Sequence, residues 1–467
     1  MGITITSPLW LFLLLTLLAL QLFLVLILII KPFLRYVTGK QISAAVGRLL
    51  SDKYTQNLME LLPAGKRISP LNILEIGLRA QNGQIITRPL GSPKQFPGFT
   101  NLVFAPRLMS GLSLPESALV HKQVTIGPKA KRPLVINIPI MISGMAYGIA
   151  LSEEAKRALA RAAKILQTAT CSGEGPFLPE ERAEAGKYVL QISRWAWGAR
   201  NQEQINSADM LEVQMGQGAD MGAVRVEAVE FQGRAQELSG LAPGEPAISF
   251  PAPPGIQQQR DWPGFVKDLR KKANGIPIAL KLMAAGHLED DLAAALELGF
   301  DAIVLDGAQG GSHGSTPIKQ DDFGIPTLIA LIRAERYLKS QGKRDQVSLI
   351  IAGGFFTPGD CLKAIALGAD AIDMATVPLL ALAHGQAGKV TPWEPPTTLV
   401  FYDSPAKNKL NINQATTSIV NTITSMVLEM EEGMRALGKT SWKELNPDDL
   451  VALDSFTAEV TGVKRVY

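Results

Sequence analysis

Residues 350–376 read IIAGGFFTPGDCLKAIALGADAIDMAT, and this stretch carries the fold. An apolar run, 350–352, stops on Gly353 and Gly354. A proline at 358 and an acid at 360 then open a segment of helical period. That segment stops at Gly368, and a second apolar run follows at 370–375. Proline and acid at the front with glycine behind are helix start and stop signals. Strand, helix and strand in succession is a parallel unit, and near-continuous apolar strands imply cover on both faces.

The same unit recurs on both sides. Strands are expected near 136–143, 165–171, 187–193, 210–215, 277–283, 301–306, 347–352 and 370–375. Segments such as SEEAKRALARAAKIL (152–166) and LEDDLAAALELGF (288–300) lie between them, with acids in the first turn where the helix dipole favours them. Eight such repeats predict an α/β fold, a (β/α)8 TIM barrel, in preference to a doubly wound open sheet. The gap 216–276 is too long for a simple crossover and reads as an insertion over the site. The expected division is an anchor at 1–32, a connector with short helices at 33–130, the barrel at 131–405 and a C-terminal helical extension at 406–467.

The chain has 467 residues, 46% hydrophobic and 19% charged, with a formal net charge of +3. That charge, with no basic stripe, argues against nucleic acid as a partner. Two cysteines, Cys171 and Cys361, and four scattered histidines rule out a disulfide framework and give no metal-ligand spacing, so no metal site is expected.

Residues 9–30 hold no charged side chain. As a helix they extend about 33 Å, enough for a bilayer. The basic start of a signal peptide is missing, so a single-pass transmembrane helix is expected. Lys31, Arg35, Lys40 and Arg48 precede the first acid, Asp52, which points to a cell-membrane protein with a cytoplasmic catalytic body. Short helices are expected near 41–62, and prolines 63, 70, 89, 93, 97 and 106 read as loop chemistry.

In a TIM barrel the chemistry lies in the loops after the strands. Gly353 and Gly354, followed by a helix near Pro358, offer bare amides and a positive helix end to a phosphate. The alternative is a tight turn with no ligand. Lys281 in the strand IALKLM is expensive to bury without an anionic partner. It reads as a cation beside an electron-rich ring, or as an ion pair with Asp306. His313 is a candidate base or a solvated histidine. Cys171 is a candidate nucleophile or a small buried residue. Glu174 is placed to bind an amine or orient a water, or has only a loop role. Trp195 and Trp197 pack at the rim or line the site.

ISGMAYGIALSEEAKRALARAA, CSGEGPFLPEE, LEVQMGQGAD, ISFPAPP, IALKLM, DGAQGGSHGSTP and the opening stretch, in this order, resemble the FMN-binding synthase domain of glutamate synthase over roughly 135–445. The tail LGKTSWKEL resembles the end of that domain. The resemblance implies non-covalent FMN, with Ser143, Gly144 and Met145 along the flavin and Thr170 nearby. Lys281 would sit at its N1/O2 edge, and Gly310, Gly311, Gly353, Gly354 and Thr376 would surround the phosphate. Gln217 would lie in the substrate-side loop. The implied reaction is reduction of a 2-imino or 2-oxo acid to an amino acid of the glutamate type, or its reverse, with Lys281, Gln217 and Glu174 as catalytic candidates.

The chain departs from the family at two lysine positions, which are Gln214 and Asp220 here, and has SGEGP for TGEGG. The three-cysteine loop is absent, so no iron–sulfur cluster is expected, nor an N-terminal cysteine glutaminase. The electron donor is then a nicotinamide nucleotide, a soluble carrier or a membrane quinone. A flavin-dependent isomerase without net redox change, and a membrane-tethered barrel that binds a phosphorylated ligand without turnover, are the competing readings.

Overall fold

The computed structural model describes residues 7–53, 56–88 and 90–467, which leaves Pro89 outside the described residues. The chain divides between Ile86 and Thr87 into two compact units.

The first unit opens with a helix over Ser7–Ser51. It extends past the expected end at residue 32, through Pro32 and through much of the expected 41–62 segment. Its side chains from Trp10 to Ile30 are all exposed. An 18-residue window in it has mean hydropathy 3.1, so length and composition allow it to cross a membrane. Helices at Leu61–Ile68 and Pro70–Asn82 follow; the second starts on its proline and stops at Gly83 in the left-handed conformation.

The second unit is built on a closed barrel of eight parallel strands, neighbours in space as in sequence. They are β1 (Ile140–Ile142), β2 (Ala169–Cys171), β3 (Lys187–Ile192), β4 (Met210–Gln214), β5 (Ile278–Met283), β6 (Ala302–Asp306), β7 (Ser348–Ala352) and β8 (Ala371–Met374). The (β/α)8 expectation therefore holds, with two strand starts displaced. Residues 134–136 pair with 124–126 in a separate hairpin before the barrel, and Ile165 is still in the helix Glu153–Ile165. Apolar composition alone cannot tell a helix end or a hairpin from the strand that follows it.

The insertion forms its own small layer. Strands 225–226 and 247–248 pair antiparallel. Tyr147, Leu178, Trp195, Phe231, Ala235 and Ala247 make a hydrophobic cluster distinct from the main core. The Phe250 amide donates to the Arg194 carbonyl (2.7 Å), which ties the insertion to the end of β3. At the C-terminus a long helix, Ile412–Ala436, buries Ile419, Ile423, Met430 and Met434 against the helices around the barrel.

Candidate active site at the barrel mouth

Side chains alternate in direction along a strand, so every second residue of a barrel strand points inward. On β5 the inward set contains Lys281, opposite in phase to Leu280 and Leu282. Lys281 is 1% exposed, and its Nζ donates to Asp373 on β8 (3.3 Å) and Ser143 (3.1 Å). Ser143 Oγ in turn donates to Asp373 (2.7 Å). The principal partner is thus Asp373, not the expected Asp306. Asp306 acts on Lys281 only electrostatically. Burial works against the ammonium, but Asp373, Glu212 and Asp306 outweigh it and hold its pKa above the usual lysine value.

Around this pair the barrel interior is polar. Gln191 donates to Glu212 (2.6 Å), and the Cys171 thiol lies 3.8 Å from the same carboxyl. Burial, then Glu212, push the Cys171 thiol well above its ordinary value, which disfavours the thiolate that a nucleophile needs. Burial also raises Glu212 and Asp306. Asp306 Oδ1 and Thr170 Oγ1 are buried without a hydrogen-bond partner among the described residues.

Above these groups a cleft of about 110 Å³ opens, lined by Ser143, Gly144, Met145, Glu174, Gln217, Gly311 and Thr376 among others. Seven of the twelve residues expected in the site therefore share one cavity. Lys281, Thr170, Gly310, Gly353 and Gly354 are not in its lining. Lys281 reaches the cleft through Ser143.

Two glycine contacts shape the rim. A Cβ on Gly218 would lie 2.5 Å from Gly310 Cα, so the insertion and the loop after β6 approach backbone to backbone. Gln217 strengthens that contact by donating to Ser312 Oγ (2.9 Å). Gly353 and Gly354 have φ of 99° and 78°, and a Cβ on Gly354 would meet Gln309 Cβ at 2.6 Å. Turn geometry and packing alone thus demand glycine here. The amide N–H groups of Gly311 and Gly354 nonetheless donate to no protein acceptor among the described residues, while Gly353 continues the β7–β8 ladder toward Asp373. The helix Pro358–Ala366 begins on the Thr357 N-cap, close to the expected start.

Glu174 is clamped. Trp195 Nε1 donates to its Oε2 (2.9 Å), and Trp197 Nε1 donates to its carbonyl (2.8 Å). The two indoles stack at 5.2 Å, with Trp195 1% exposed. Burial, then Asp220, push Glu174 up to about 8. His313 packs on Phe401 at 4.4 Å, and burial lowers its pKa, so the ring facing the cleft is neutral. Lys156, also 1% exposed, pairs with Glu181 (2.9 Å) and donates to the carbonyls of Met145, Cys171 and Ser172, fastening the loops after β1 and β2 together.

Sequence reading missed Arg194, Asp373, Glu212 and Gln191. Arg194, 1% exposed, pairs with Asp220 (3.0 Å) and donates to Gln214 (3.3 Å) and the Gly222 carbonyl (2.7 Å). The two positions that depart from the family pattern are therefore joined through one arginine. The signal was available: each missed residue is charged or amide-bearing and lies within or directly after an apolar strand, as Lys281 does.

The family model described as a conserved region in glutamate synthase matches residues 107–440. A glutamate synthase large subunit-like protein of Rhizobium meliloti is 30% identical over 425 residues, covering 84% of this chain and 92% of that protein. An archaeal glutamate synthase (NADPH) of Archaeoglobus fulgidus is 30% identical over 337 residues, covering 70% of this chain and 65% of that protein. Among solved structures, the recombinant flavin-binding domain of baker's yeast flavocytochrome b2 aligns with TM-score 0.48 at 17% identity, covering 75% of this chain and 76% of that one. With more than half of its length matched by the family model, and a barrel whose polar interior opens into one cleft, this chain belongs to the glutamate synthase family.

Proposed function

We propose that the protein is a membrane-anchored, FMN-dependent oxidoreductase that reduces a 2-imino or 2-oxo acid to an amino acid, or runs the reverse reaction. The observation that carries this reading is the cleft itself. In a chain of this family, Ser143, Gly144, Met145, Glu174, Gln217, Gly311 and Thr376 meet in one cavity over a buried, charged lysine.

The residues present fit FMN. Met145, Ala146, Leu151, Leu379 and Phe401 give the cleft apolar wall, while Ser143, Gln191 and Gln217 give it a polar edge. The unpaired amides of Gly311 and Gly354 suit a phosphate. Ser143, Gly144, Met145 and Thr170 would hold the ring, with Gly310, Gly311, Gly353, Gly354 and Thr376 around the phosphate. Bound FMN supplies two-electron transfer as hydride.

Lys281 keeps a fixed positive charge at the barrel end of the cleft, where its link to Ser143 orients it toward negative charge developing on a bound ring. Gln217 and Glu174, both in the lining of the cleft, would face the substrate side. Glu174, protonated at neutral pH, can give a proton to a bound substrate or hold one taken from it. Trp195 and Trp197 keep its carboxyl in place.

The apolar helix and the cations that follow it support a single-pass anchor with a cytoplasmic body. A nicotinamide nucleotide, a soluble carrier or a quinone would supply electrons. The test is the absorption spectrum of detergent-purified protein, then anaerobic reduction by candidate donors. Flavin bands bleached by a donor are expected; a colourless protein that takes up no FMN overturns the reading.

A further inference from the structure

Among the described residues the lining of the cleft has carboxyl groups but no lysine or arginine. Its ionisable lining residues are Glu174, Asp306 and His313, and burial keeps the histidine neutral. Cations lie behind the wall: Lys156 is paired with Glu181, Arg200 is held on the carbonyls of Gln191, Gly173 and Gly175, and Arg194 and Lys281 are ion-paired. Arg194 is paired with Asp220 and also donates to Gln214 and the Gly222 carbonyl. Gln214 Nε2 donates to the same Asp220 oxygen (3.1 Å), which closes the triad. Lys281 is paired with Asp373.

A dicarboxylate entering here would leave its second carboxylate desolvated with no lysine or arginine side chain in the described lining to pair it. A carboxylate taken out of water without a cationic partner is costly. Glu174 offers the opposite. Trp195 holds one carboxyl oxygen, Oε2, while Oε1 accepts no hydrogen bond among the described residues. An acceptor fixed in place with one oxygen to spare suits a donor carried by the ligand.

Building on the flavin-site reading of this same cleft, we propose that its substrate carries at most one carboxylate and presents a primary amine at its far end, received by Glu174 Oε1, and that dicarboxylic 2-oxo acids are excluded. Glu174 is bordered by Asp220, Arg194 and Lys281 as well as Trp195, and its carboxyl stands near 8. An ammonium group arriving at neutral pH therefore displaces a proton from it, and binding couples to proton release.

The test uses two unreactive five-carbon probes, glutarate and 5-aminopentanoate, which differ only in carboxylate against ammonium at one end. They are titrated calorimetrically into the full-length, FMN-loaded protein in detergent at pH 7, in two buffers of different ionisation enthalpy. The amine should bind at least about tenfold more tightly and release about one proton, release that fades above pH 8. Glu174→Gln should abolish both the preference and the proton release. Asp220→Asn, which leaves the Arg194 charge unpaired, should strengthen glutarate binding; the native comparison stands by itself if either variant fails to fold. Glutarate binding as tightly as the amine, neither probe binding, or a preference that survives Glu174→Gln would overturn the inference. Repeating the titration on flavin-free protein separates it from the flavin reading, because a protein that refuses FMN but keeps the amine preference disproves only the latter.

Discussion

Replacing Lys281 with methionine removes a charge but little volume, which makes it the sharpest probe of the barrel interior. Lys281 and Asp373 are 1% and 4% exposed and 3.3 Å apart, so water cannot take over for the missing partner. At an effective dielectric of 20 the Coulomb term at that distance is about 5 kcal/mol. Removing one partner of a buried pair costs about 3–5 kcal/mol, because the other charge is stranded. Asp373 would keep only Ser143, and the neighbouring Glu212 and Asp306 would lose the cation that offsets them. The lysine's pKa lies above its unfolded value. Its contribution is therefore fully present below about pH 10 and is lost only as pH rises through the folded value, so the cost should not vary between pH 5 and 9. The assay is a double-mutant cycle of Lys281→Met and Asp373→Asn, read by denaturant unfolding of the detergent-solubilised protein followed by tryptophan fluorescence. The double variant should recover about 2–4 kcal/mol relative to the sum of the single losses. A single loss below about 1 kcal/mol, or costs that add within about 0.5 kcal/mol, would refute the pairing.

Three further outcomes follow from the same geometry. Glu174 has a folded pKa of about 8, above that of an exposed glutamate, so the folded state holds an extra proton and stability falls as pH rises from about 4.5 to 8. Glu174→Gln should flatten that part of the stability–pH curve, and an unchanged slope counts against the burial of the carboxyl. Gly218→Ala sets a Cβ 2.5 Å from Gly310 Cα and should cost about 1–3 kcal/mol along with most of the bound flavin, measured by melting and by absorbance. Lys156→Met strands Glu181 and three carbonyls and should cost about 3–5 kcal/mol in the same unfolding assay; a loss near zero means that the loops are held by other contacts.

The route from sequence to site was uneven. Lys281 was legible because a lone charge inside an apolar run has few physical excuses, and its inward phase follows from strand alternation alone. Its partner was not. Asp306 and Asp373 both lie in neighbouring apolar runs, and only closure of the barrel brings β8 across from β5 so that Asp373 meets the ammonium. Arg194 escaped notice for a similar reason. Its meaning depends on Asp220, 26 residues later in an irregular insertion whose path no periodicity announces. Glu174 was singled out, but its two tryptophan clamps were not assigned to it, since stacked rings at 195 and 197 give no local sign of what they grip.

What the sequence alone settled was the order of elements: a long apolar helix, then eight strands alternating with helices, because hydrophobic period and helix caps act over a few residues and are written locally. The tertiary structure settled which charges neutralise one another. Arg194 is spent on Asp220 and Lys281 on Asp373, which leaves Glu174 as a carboxyl facing the cleft. Pairing of buried charges depends on separations of about 3 Å between strands and loops far apart in the chain, and only the closed barrel sets those separations.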